Sequence, residues 1–423
     1  MADISRQRRV EGAASEALGL FERTRARSRD LVAGLRPEDM VVQSMEDASP
    51  TNWHLAHTSW FFEQFILRDH QPGYASPDDR FAFLFNSYYV QAGPRHARSR
   101  RGLITRPSVE DVLAFRAHVD AAMQRLLAAG PAPEVAARAV LGCHHEMQHQ
   151  ELLLTDLIHA LSFNPLLPAI RAPEPMPLGD AVPLDWTDHA GGIFEIGHDG
   201  TGFAFDCEGP RHEVLLRPFR LATRAVTNRD WVGFIEDEGY RRAPLWLMDG
   251  WGTVEREGWE APLYWWEQDG AWWSFTARGG QPVNLDAPVT HVSYYEADAY
   301  ARWAGKRLAS EAEWEVAAAG IPIRGNFLES GALRPLPLSP GSGERQLHGD
   351  VWEWTQSPFT PYPGFRPPEG AIGEYNGKFM CNQFVLRGGA CTTPREQMRA
   401  SYRTFFYPHQ RWQMTGLRLA EDA

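Results

Sequence analysis

Two histidines four residues apart are the strongest chemical signal in the sequence. His145 and His149 lie in the segment His-Glu-Met-Gln-His-Gln-Glu, residues 145–151. Residues at this spacing share one face of a helix, so both imidazoles can point into one site. Such a pair is a recurring way to hold a divalent metal ion, although it also occurs as hydrogen-bonded core or surface histidines. Leu141 and Leu152 lie on the same face, and burying unpartnered imidazoles costs about 1–3 kcal/mol each, so we predict a metal site.

A third ligand is expected from another helix. The segment 53–60 offers His54 and His57, and periodicity does not choose between them. His144 is turned about 100° from His145 around the helix, which favours a structural role. Three neutral imidazoles suit zinc, iron, copper or nickel, so the donor type leaves the metal open.

Phenols and arginines follow between the predicted helices. Tyr88 and Tyr89 could donate a proton without being anionic at neutral pH, since a phenol has a pKa of about 10, or they could be packing aromatics. The basic segment 93–101, with Arg95 and Arg101, could receive a substrate carboxylate or could be a solvated loop.

The first half of the chain reads as helical. A capping-box pattern, Ser108-x-x-Asp111, precedes one of the periodic segments. Residues 69–107 would form a long crossover. We predict an up-down four-helix bundle, with helices over residues 11–35, 51–67, 109–127 and 134–161.

The second half has a different composition. Only Trp53 and Trp60 of the 16 tryptophans precede residue 180, and six prolines fall within residues 164–183. Short strands and helices alternate there with glycine and proline, which predicts an α+β domain with little regular structure. Predicted strands cover 192–196 and 213–216, and predicted helices cover 294–304 and 310–318. The predicted domains are 1–163, a proline-rich connector at 164–184, and 185–423.

Composition excludes several classes of function. The formal net charge of −12 disfavours nucleic acid as a main partner. No apolar stretch is long enough to span a bilayer. The charged N-terminus is not followed by an apolar segment, so we expect no secretory signal and a cytoplasmic location. Four cysteines without a C-x-x-C pair predict neither a disulfide framework nor a zinc knuckle.

Motifs in both halves resemble known families. The first half, with Leu55-Ala56-His57 and His145-x-x-x-His149-x-Glu151, resembles DinB-type metal-binding bundles. The second half resembles the formylglycine-generating-enzyme or sulfatase-modifying-factor fold, which is similar to C-type lectins. That resemblance rests on motifs at residues 191–197, 225–228, 288–293, 303–308, 311–315, 349–354 and 387–389.

The two domains in this order resemble the ergothioneine-biosynthesis sulfoxide synthases, including their selenoneine synthase relatives. The resemblance implies a nonheme Fe(II) held by His57, His145 and His149. It implies an O2-dependent carbon–sulfur bond between the imidazole C2 of hercynine (trimethylhistidine) and a thiol donor such as cysteine. Tyr88 and Tyr89 resemble a tyrosine pair that supplies a proton during this reaction.

The resemblance also suggests residues that bind substrate. Gln148 resembles a residue that contacts hercynine, whose quaternary ammonium suits aromatic faces such as Phe405, Phe406 and Trp412. The family usually has Arg-Asn-Phe-Phe-Pro-Pro where this chain has Arg-Thr-Phe-Phe-Tyr-Pro, so Thr404 replaces an amide in the expected pocket. This change leaves open a selenosugar donor, as in selenoneine synthases, for which Arg95 and Arg101 would be less needed.

Two other activities are compatible with parts of the sequence. Other DinB-like proteins are metal-dependent thiol transferases, in which zinc acts as a Lewis acid and oxygen is not needed. A formylglycine-generating activity would need a cysteine pair, and Cys381 and Cys391 are ten residues apart, a looser spacing than those enzymes use.

Overall fold

The computed structural model describes residues 2–177, 179, 182–338 and 346–423, and for residues 2–11 the backbone alone. The chain divides into two compact units. Unit 1 comprises Met1–Leu161 and Pro368–Tyr375, and unit 2 comprises Ser162–Pro367 and Asn376–Ala423. The predicted domain boundaries did not anticipate that 368–375 groups with the helices, because no sequence pattern marks this return of the chain.

Unit 1 is helical throughout its described elements. A π-helical turn, Glu63–Leu67, joins the second and third helices, so that the chain stays helical from residue 51 to residue 70. All four predicted helices are confirmed within a few residues at most ends, and their arrangement as an up-down bundle stays a prediction. The helices are α1 (Ala2–Val32), α2 (Thr51–Phe62), α3 (Arg68–His70), α4 (Phe81–Leu84), α5 (Val109–Ala128) and α6 (Pro133–Ser162).

Local chemistry sets the start of α5. The Ser108 side chain accepts a hydrogen bond from the Asp111 backbone N–H, and the Asp111 carboxylate accepts one from the Ser108 backbone N–H. This reciprocal capping box satisfies two N–H groups that a helix start leaves unpaired, and it confirms the sequence-based prediction. α5 packs against both α1 and α2.

Burial of the leucines along α6 varies with position. Leu141 and Leu152, which share a face with the histidine pair, are half-buried, whereas Leu153, Leu154 and Leu157 are buried. The face that carries the histidine pair lies between the buried core and the surface, and this leaves it partly accessible.

A buried ionic cluster links α6 to three other helices of unit 1. The Glu146 carboxylate accepts hydrogen bonds from Arg25 at 2.9 Å, from Ser28 at 2.5 Å and from Arg116. Arg25 also donates to Asp120 at 2.6 Å and to Ser59 at 2.9 Å. Because removing one member would leave an uncompensated buried charge, this cluster strongly constrains how the helices pack.

The strands of unit 2 are short and form four small sheets. Their hydrogen-bonded orders are β1-β4-β13-β8, β11-β10-β9-β12, β2-β3 and β5-β6-β7. The two predicted strands are confirmed as β2 and β3. The strands are β1 (Trp186–His189), β2 (Gly192–Ile196), β3 (His212–Leu216), β4 (Phe219–Ala222), β5 (Trp265–Gln268), β6 (Ala271–Thr276), β7 (Gly279–Pro282), β8 (Arg307–Leu308), β9 (Trp352–Pro358), β10 (Phe384–Arg387), β11 (Thr404–Phe406), β12 (Thr415–Gly416) and β13 (Leu419–Asp422).

The helices of unit 2 are also short. Ser310 and Glu313 form the predicted capping box at the start of the last helix. Within that helix Trp314 is buried, and its indole N–H donates to Glu353 at 2.7 Å. The helices are α7 (Asn228–Glu236), α8 (Met248–Glu257), α9 (Tyr294–Trp303) and α10 (Glu311–Ala318).

Buried arginine–glutamate pairs hold the core of unit 2 together. Arg387 donates to Glu311 and Glu315, each at 2.8 Å, and Arg418 donates to Glu353 at 2.7 Å. Such pairs provide hydrogen-bonded connections where short strands supply few backbone contacts.

Three further features bear on the composition arguments. The described residues between 164 and 183 form neither helix nor strand. No disulfide bond joins any of the four cysteines, all of which lie in the described residues. Among the described helices, none combines the length and the apolar character needed to cross a bilayer.

Candidate metal centre

Three imidazoles converge in unit 1. His57 comes from α2, and His145 and His149 come from α6. One nitrogen atom of each ring lies within 4.8 Å of the other two, and the Nε2 atoms of His57 and His145 are 3.2 Å apart. The ring centroids are separated by 4.6 to 4.9 Å. One metal ion can therefore bind a nitrogen atom from each of the three rings.

Hydrogen bonding fixes the orientation of the His57 ring. Its Nδ1 lies 2.6 Å from the backbone carbonyl oxygen of Phe85. A carbonyl oxygen only accepts, so Nδ1 carries the proton and Nε2 presents its lone pair toward His145. His145 in turn has no hydrogen-bond partner at Nδ1. His145 therefore has a ring nitrogen that no side chain or backbone group of the described structure occupies.

Burial keeps these histidines neutral. His57 and His145 are buried and His149 is half-buried. Removal from water lowers the pKa of His145 to about 3, and burial together with the neighbouring histidines lowers the pKa of His57 and His149 well below the usual value. At neutral pH each ring therefore has a free lone pair. The residues present fit a divalent ion that prefers imidazole, such as iron, zinc, copper or nickel.

The structure separates the two histidines of α2 that the sequence left as alternatives. His57 belongs to the three-ring cluster, and His54 does not. Instead, His54 Nδ1 lies 2.8 Å from His149 Nδ1, and its Nε2 lies 3.1 Å from Asp156 Oδ2. His54 thus contacts His149 through the Nδ1 atom of that ring and connects it to Asp156.

The predicted tyrosine pair lies close to the imidazoles. The rings of Tyr88 and Tyr89 stack with centroids 4.6 Å apart, and their hydroxyl oxygens are 3.5 Å apart. Tyr89 packs against Trp60 at 5.5 Å, and Trp60 stacks on His57 at 5.4 Å. Burial, and then the neighbouring Tyr88, raises the pKa of Tyr89 well above its usual value. The Tyr89 phenol therefore keeps its proton at neutral pH, so it can act as a proton donor.

A third phenol was missed by the sequence analysis. Tyr375, in the segment of unit 1 formed by 368–375, has its ring 5.6 Å from His145 and 6.3 Å from Tyr88. Its hydroxyl donates to the Gln148 side-chain oxygen. Gln148, predicted to bind substrate, is therefore oriented by a residue 227 positions away. No spacing rule connects residues so far apart, so the sequence offered no signal for this contact.

The two predicted arginines have different surroundings. Arg95 is exposed, whereas Arg101 is buried. The Arg101 guanidinium stacks over the Trp53 ring at 3.3 Å and donates to Ser49 at 2.9 Å and to Ser87 at 3.1 Å. These contacts give Arg101 a packing role, since it orders Trp53, whose ring stacks on His57 at 4.7 Å. Its predicted contact with a substrate carboxylate stays a prediction.

The remaining predicted residues lie in unit 2. Thr404, Phe405 and Phe406 form β11 and are half-buried, and Trp412 is buried. Phe405 stacks on Phe359 with ring centroids 3.9 Å apart. Their predicted role in hercynine binding stays a prediction.

Comparison with known proteins defines the class of this two-unit chain. Residues 20–153 match the DinB superfamily, and residues 189–335 and 330–423 match the sulfatase-modifying factor enzyme 1-like domain. A formylglycine-generating enzyme of Thermomonospora curvata is 30% identical over 48% of this chain and 87% of its own length.

Two relatives match nearly the whole chain. Hercynine oxygenase of Mycolicibacterium smegmatis is 33% identical over 88% of this chain and 91% of its own length. Hercynine oxygenase of Mycobacterium tuberculosis is 33% identical over 94% of this chain and 97% of its own length. With both domains matched in the same order, the chain belongs to the ergothioneine sulfoxide synthase family.

Proposed function

We propose that this protein is a nonheme iron enzyme that uses O2 to join the imidazole C2 of hercynine to the sulfur of a small thiol such as cysteine. The observation that carries the proposal is the cluster of three neutral imidazoles with phenols beside it. The relatives called hercynine oxygenases support the choice of substrate and of an oxidative reaction.

The chemistry of the product requires an oxidant. Hercynine loses its C2 hydrogen and the thiol loses its S–H hydrogen as the carbon–sulfur bond forms, and the sulfur gains one oxygen. One O2 balances both changes because it accepts four electrons in total. One of its oxygen atoms becomes the sulfoxide oxygen, and the other is released as water. Fe(II), held by His57, His145 and His149, would supply the activation of O2.

The residues of the chain would supply binding, orientation and protons. Three protein ligands leave coordination positions for substrate and O2. The Tyr89 hydroxyl, kept protonated by burial, would donate the proton that reduction of oxygen consumes, with Tyr88 in contact with it. Gln148, held by Tyr375, would orient hercynine at the half-buried side of the cluster.

Oxygen dependence is the sharpest test. Metal-free protein is loaded anaerobically with Fe(II), mixed with hercynine and cysteine, and then exposed to O2 while oxygen uptake and product mass are followed. We expect no product before O2 is admitted and none with zinc in place of iron. Product formation by the zinc form without oxygen uptake would instead indicate a Lewis-acid thiol transferase.

The identity of the donor is tested separately. Hercynine is supplied with equimolar cysteine, γ-glutamylcysteine and a selenosugar, and the products are weighed by mass spectrometry. We expect the sulfoxide of the cysteine adduct to dominate. A dominant selenium product would instead favour the selenoneine synthase activity, for which the replacement at Thr404 is the motivating observation.

A double variant tests the site itself. His145→Ala combined with His149→Ala should abolish both iron binding and product formation. Activity that survives this change would move the chemistry away from the imidazole cluster and toward unit 2, where a formylglycine-generating role would then be reconsidered.

A further inference from the structure

A chain of buried hydrogen bonds leads away from the imidazole cluster. It runs from His149 Nδ1 to His54 Nδ1 at 2.8 Å, and from His54 Nε2 to Asp156 Oδ2 at 3.1 Å. His54 and Asp156 are buried, and the same Asp156 oxygen accepts the backbone N–H of Ser49 at 2.8 Å. Both ring nitrogens of His54 therefore have a defined neighbour, and the positions of the ring protons can be worked out starting from Asp156.

The carboxylate fixes the direction of the chain. Asp156 can only accept when ionised, so His54 Nε2 must carry the proton in that contact. A neutral imidazole has one ring proton, and so His54 Nδ1 is left as an acceptor. The 2.8 Å contact then requires the proton on His149 Nδ1. His149 is thereby left with its lone pair on Nε2, the nitrogen that would bind an ion shared with His57 and His145.

His54 and Asp156 thus differ from the groups that orient the other two rings. His57 is oriented by a backbone carbonyl, that of Phe85. His145 has no partner at Nδ1. His149 is oriented by a side-chain relay that ends on a carboxylate. An outer hydrogen-bond partner of this kind fixes the tautomer and the orientation of a metal-binding imidazole and raises its basicity.

We propose that His54 and Asp156 are positioning residues that hold His149 in its Nδ1–H tautomer and so set the metal affinity of the site. The inference rests on the metal centre proposed above, but it does not depend on which substrate that centre acts on. It assigns a role to His54, whose spacing from His57 made it a candidate ligand.

The proton position is tested first in the unaltered protein. In metal-free protein labelled with ¹⁵N, the ring nitrogens of His149 are identified by comparison with the His149→Gln variant. We expect a protonated Nδ1 and an unprotonated Nε2. A proton on Nε2 instead would mean that His54 donates to His149, and this result would overturn the proposal without any variant having to fold.

Metal affinity is tested next with Co(II) as the probe. Metal-free protein is titrated with Co(II) while its d–d absorption is recorded. His54→Leu removes the acceptor, and we expect its Co(II) affinity to fall about 10- to 100-fold with an altered absorption spectrum. His54→Asn places an amide oxygen near the position of Nδ1, so it should restore most of the affinity. Asp156→Asn keeps an oxygen in place without the charge and should give an intermediate loss.

A matched control separates this effect from the general loss of a histidine. His118 lies on α5, and its Nε2 is 3.0 Å from the Ala75 backbone carbonyl oxygen. His118→Leu should leave the Co(II) affinity and spectrum unchanged. A His54→Leu affinity within twofold of the unaltered protein would overturn the proposal. Failure of the unaltered protein to bind Co(II) at all would instead remove the metal centre, so the two failures are distinguishable.

Discussion

Two neighbouring residues of α6, His145 and Glu146, are both buried but have opposite surroundings. Glu146 accepts hydrogen bonds from two guanidinium groups and a hydroxyl, those of Arg25, Arg116 and Ser28. His145 faces His57 across 3.2 Å and has no partner at its other nitrogen. The Glu146 carboxylate is thus fully engaged in hydrogen bonds, whereas the His145 ring is available to bind a ligand. The two sides of α6 are called the charged side and the neutral side.

The electrostatics of the two residues show the same contrast. Burial by itself raises the pKa of Glu146, but Arg116 and Arg25 reverse this effect and hold it at about 2. Burial lowers the pKa of His145 to about 3, and the nearby Glu146 charge only partly opposes this. The first residue is therefore charged and the second neutral at pH 7. We infer that the charged side stabilises the packing of the helices, whereas the neutral side is suited to binding.

The largest expected effect comes from breaking the charged side. Glu146→Gln leaves Arg25 and Arg116 buried without a matching charge, so the free energy of unfolding should fall by about 3–5 kcal/mol. Urea unfolding of the metal-free protein, followed by circular dichroism, measures this loss. Glu134→Gln, an exposed position on the same helix, is the control and should change stability by less than about 0.5 kcal/mol. A loss under about 1 kcal/mol for Glu146→Gln would contradict the inference that the charged side of α6 stabilises the packing of the helices.

Breaking the neutral side should affect binding more than stability. His145→Gln removes one of the three donor nitrogens, and we expect Co(II) affinity to fall more than about 100-fold, beyond the effect of losing an outer partner. The metal-free variant should lose less stability than Glu146→Gln, because the unpartnered Nδ1 contributes no hydrogen bond. Metal titration and urea unfolding on the same sample check both statements, and unchanged Co(II) binding would rule out His145 as a ligand.

The pH dependence of stability sharpens the comparison. The pKa values of His57, His145 and His149 are lower in the folded protein than in the unfolded chain, so the unfolded state takes up more protons as the pH falls below about 6.5. Stability of the metal-free protein should therefore fall as the pH decreases below about 6.5, by about 1.4 kcal/mol per pH unit for each histidine at the steepest, and for His145 the fall should continue to about pH 3.

Below about pH 4.5 Glu146 adds its own contribution to the pH dependence of stability. The pKa of Glu146 is lowered by folding, so its contribution to stability should be lost only as the pH falls from about 4.5 toward 2. Unfolding measured across the full range should show the histidine contribution alone between pH 6.5 and 4.5, and both contributions at lower pH. His145→Gln should reduce the slope between pH 6.5 and 4.5, and an unchanged slope there would contradict the assignment of a low pKa to His145.

The smallest expected effect concerns the phenols. Tyr89→Phe should leave iron and hercynine binding intact, since the ring still packs on Trp60. The missing proton donor should lower the ratio of sulfoxide product to simply oxidised thiol by about tenfold, equivalent to about 1.4 kcal/mol. Mass spectrometry measures this ratio for Tyr89→Phe, for Tyr88→Phe and for the unaltered protein. If neither substitution changes the ratio, the phenols have no part in the reaction.

Several parts of the site were predictable from local patterns. The pairing of His145 with His149 follows from helix geometry, which places every fourth residue on the same face. The tyrosine pair was visible as adjacent residues, and the capping boxes at Ser108 and Ser310 were visible as short motifs. Each of these signals lies within a few residues, where backbone geometry alone brings the groups together.

Other parts could not be predicted because they depend on packing between distant segments. Arg101 reads as a basic loop residue, yet it is buried against Trp53. Glu146 lies beside His145 in the sequence, but its partners Arg25 and Arg116 come from α1 and α5. The sequence pattern therefore shows which residue types are present, but it does not show which distant residues they contact in the folded chain.

The amino-acid sequence by itself determined the helices, the histidine pair on α6 and the resemblance that identifies the family. Tertiary structure decided that His57, 88 residues from His145, joins the pair, that His54 contacts His149, and that Tyr375 holds Gln148. The physical reason is the range of the interactions. Helix periodicity is set by hydrogen bonds four residues apart, whereas contacts between remote segments exist only after the side chains of the whole unit have packed.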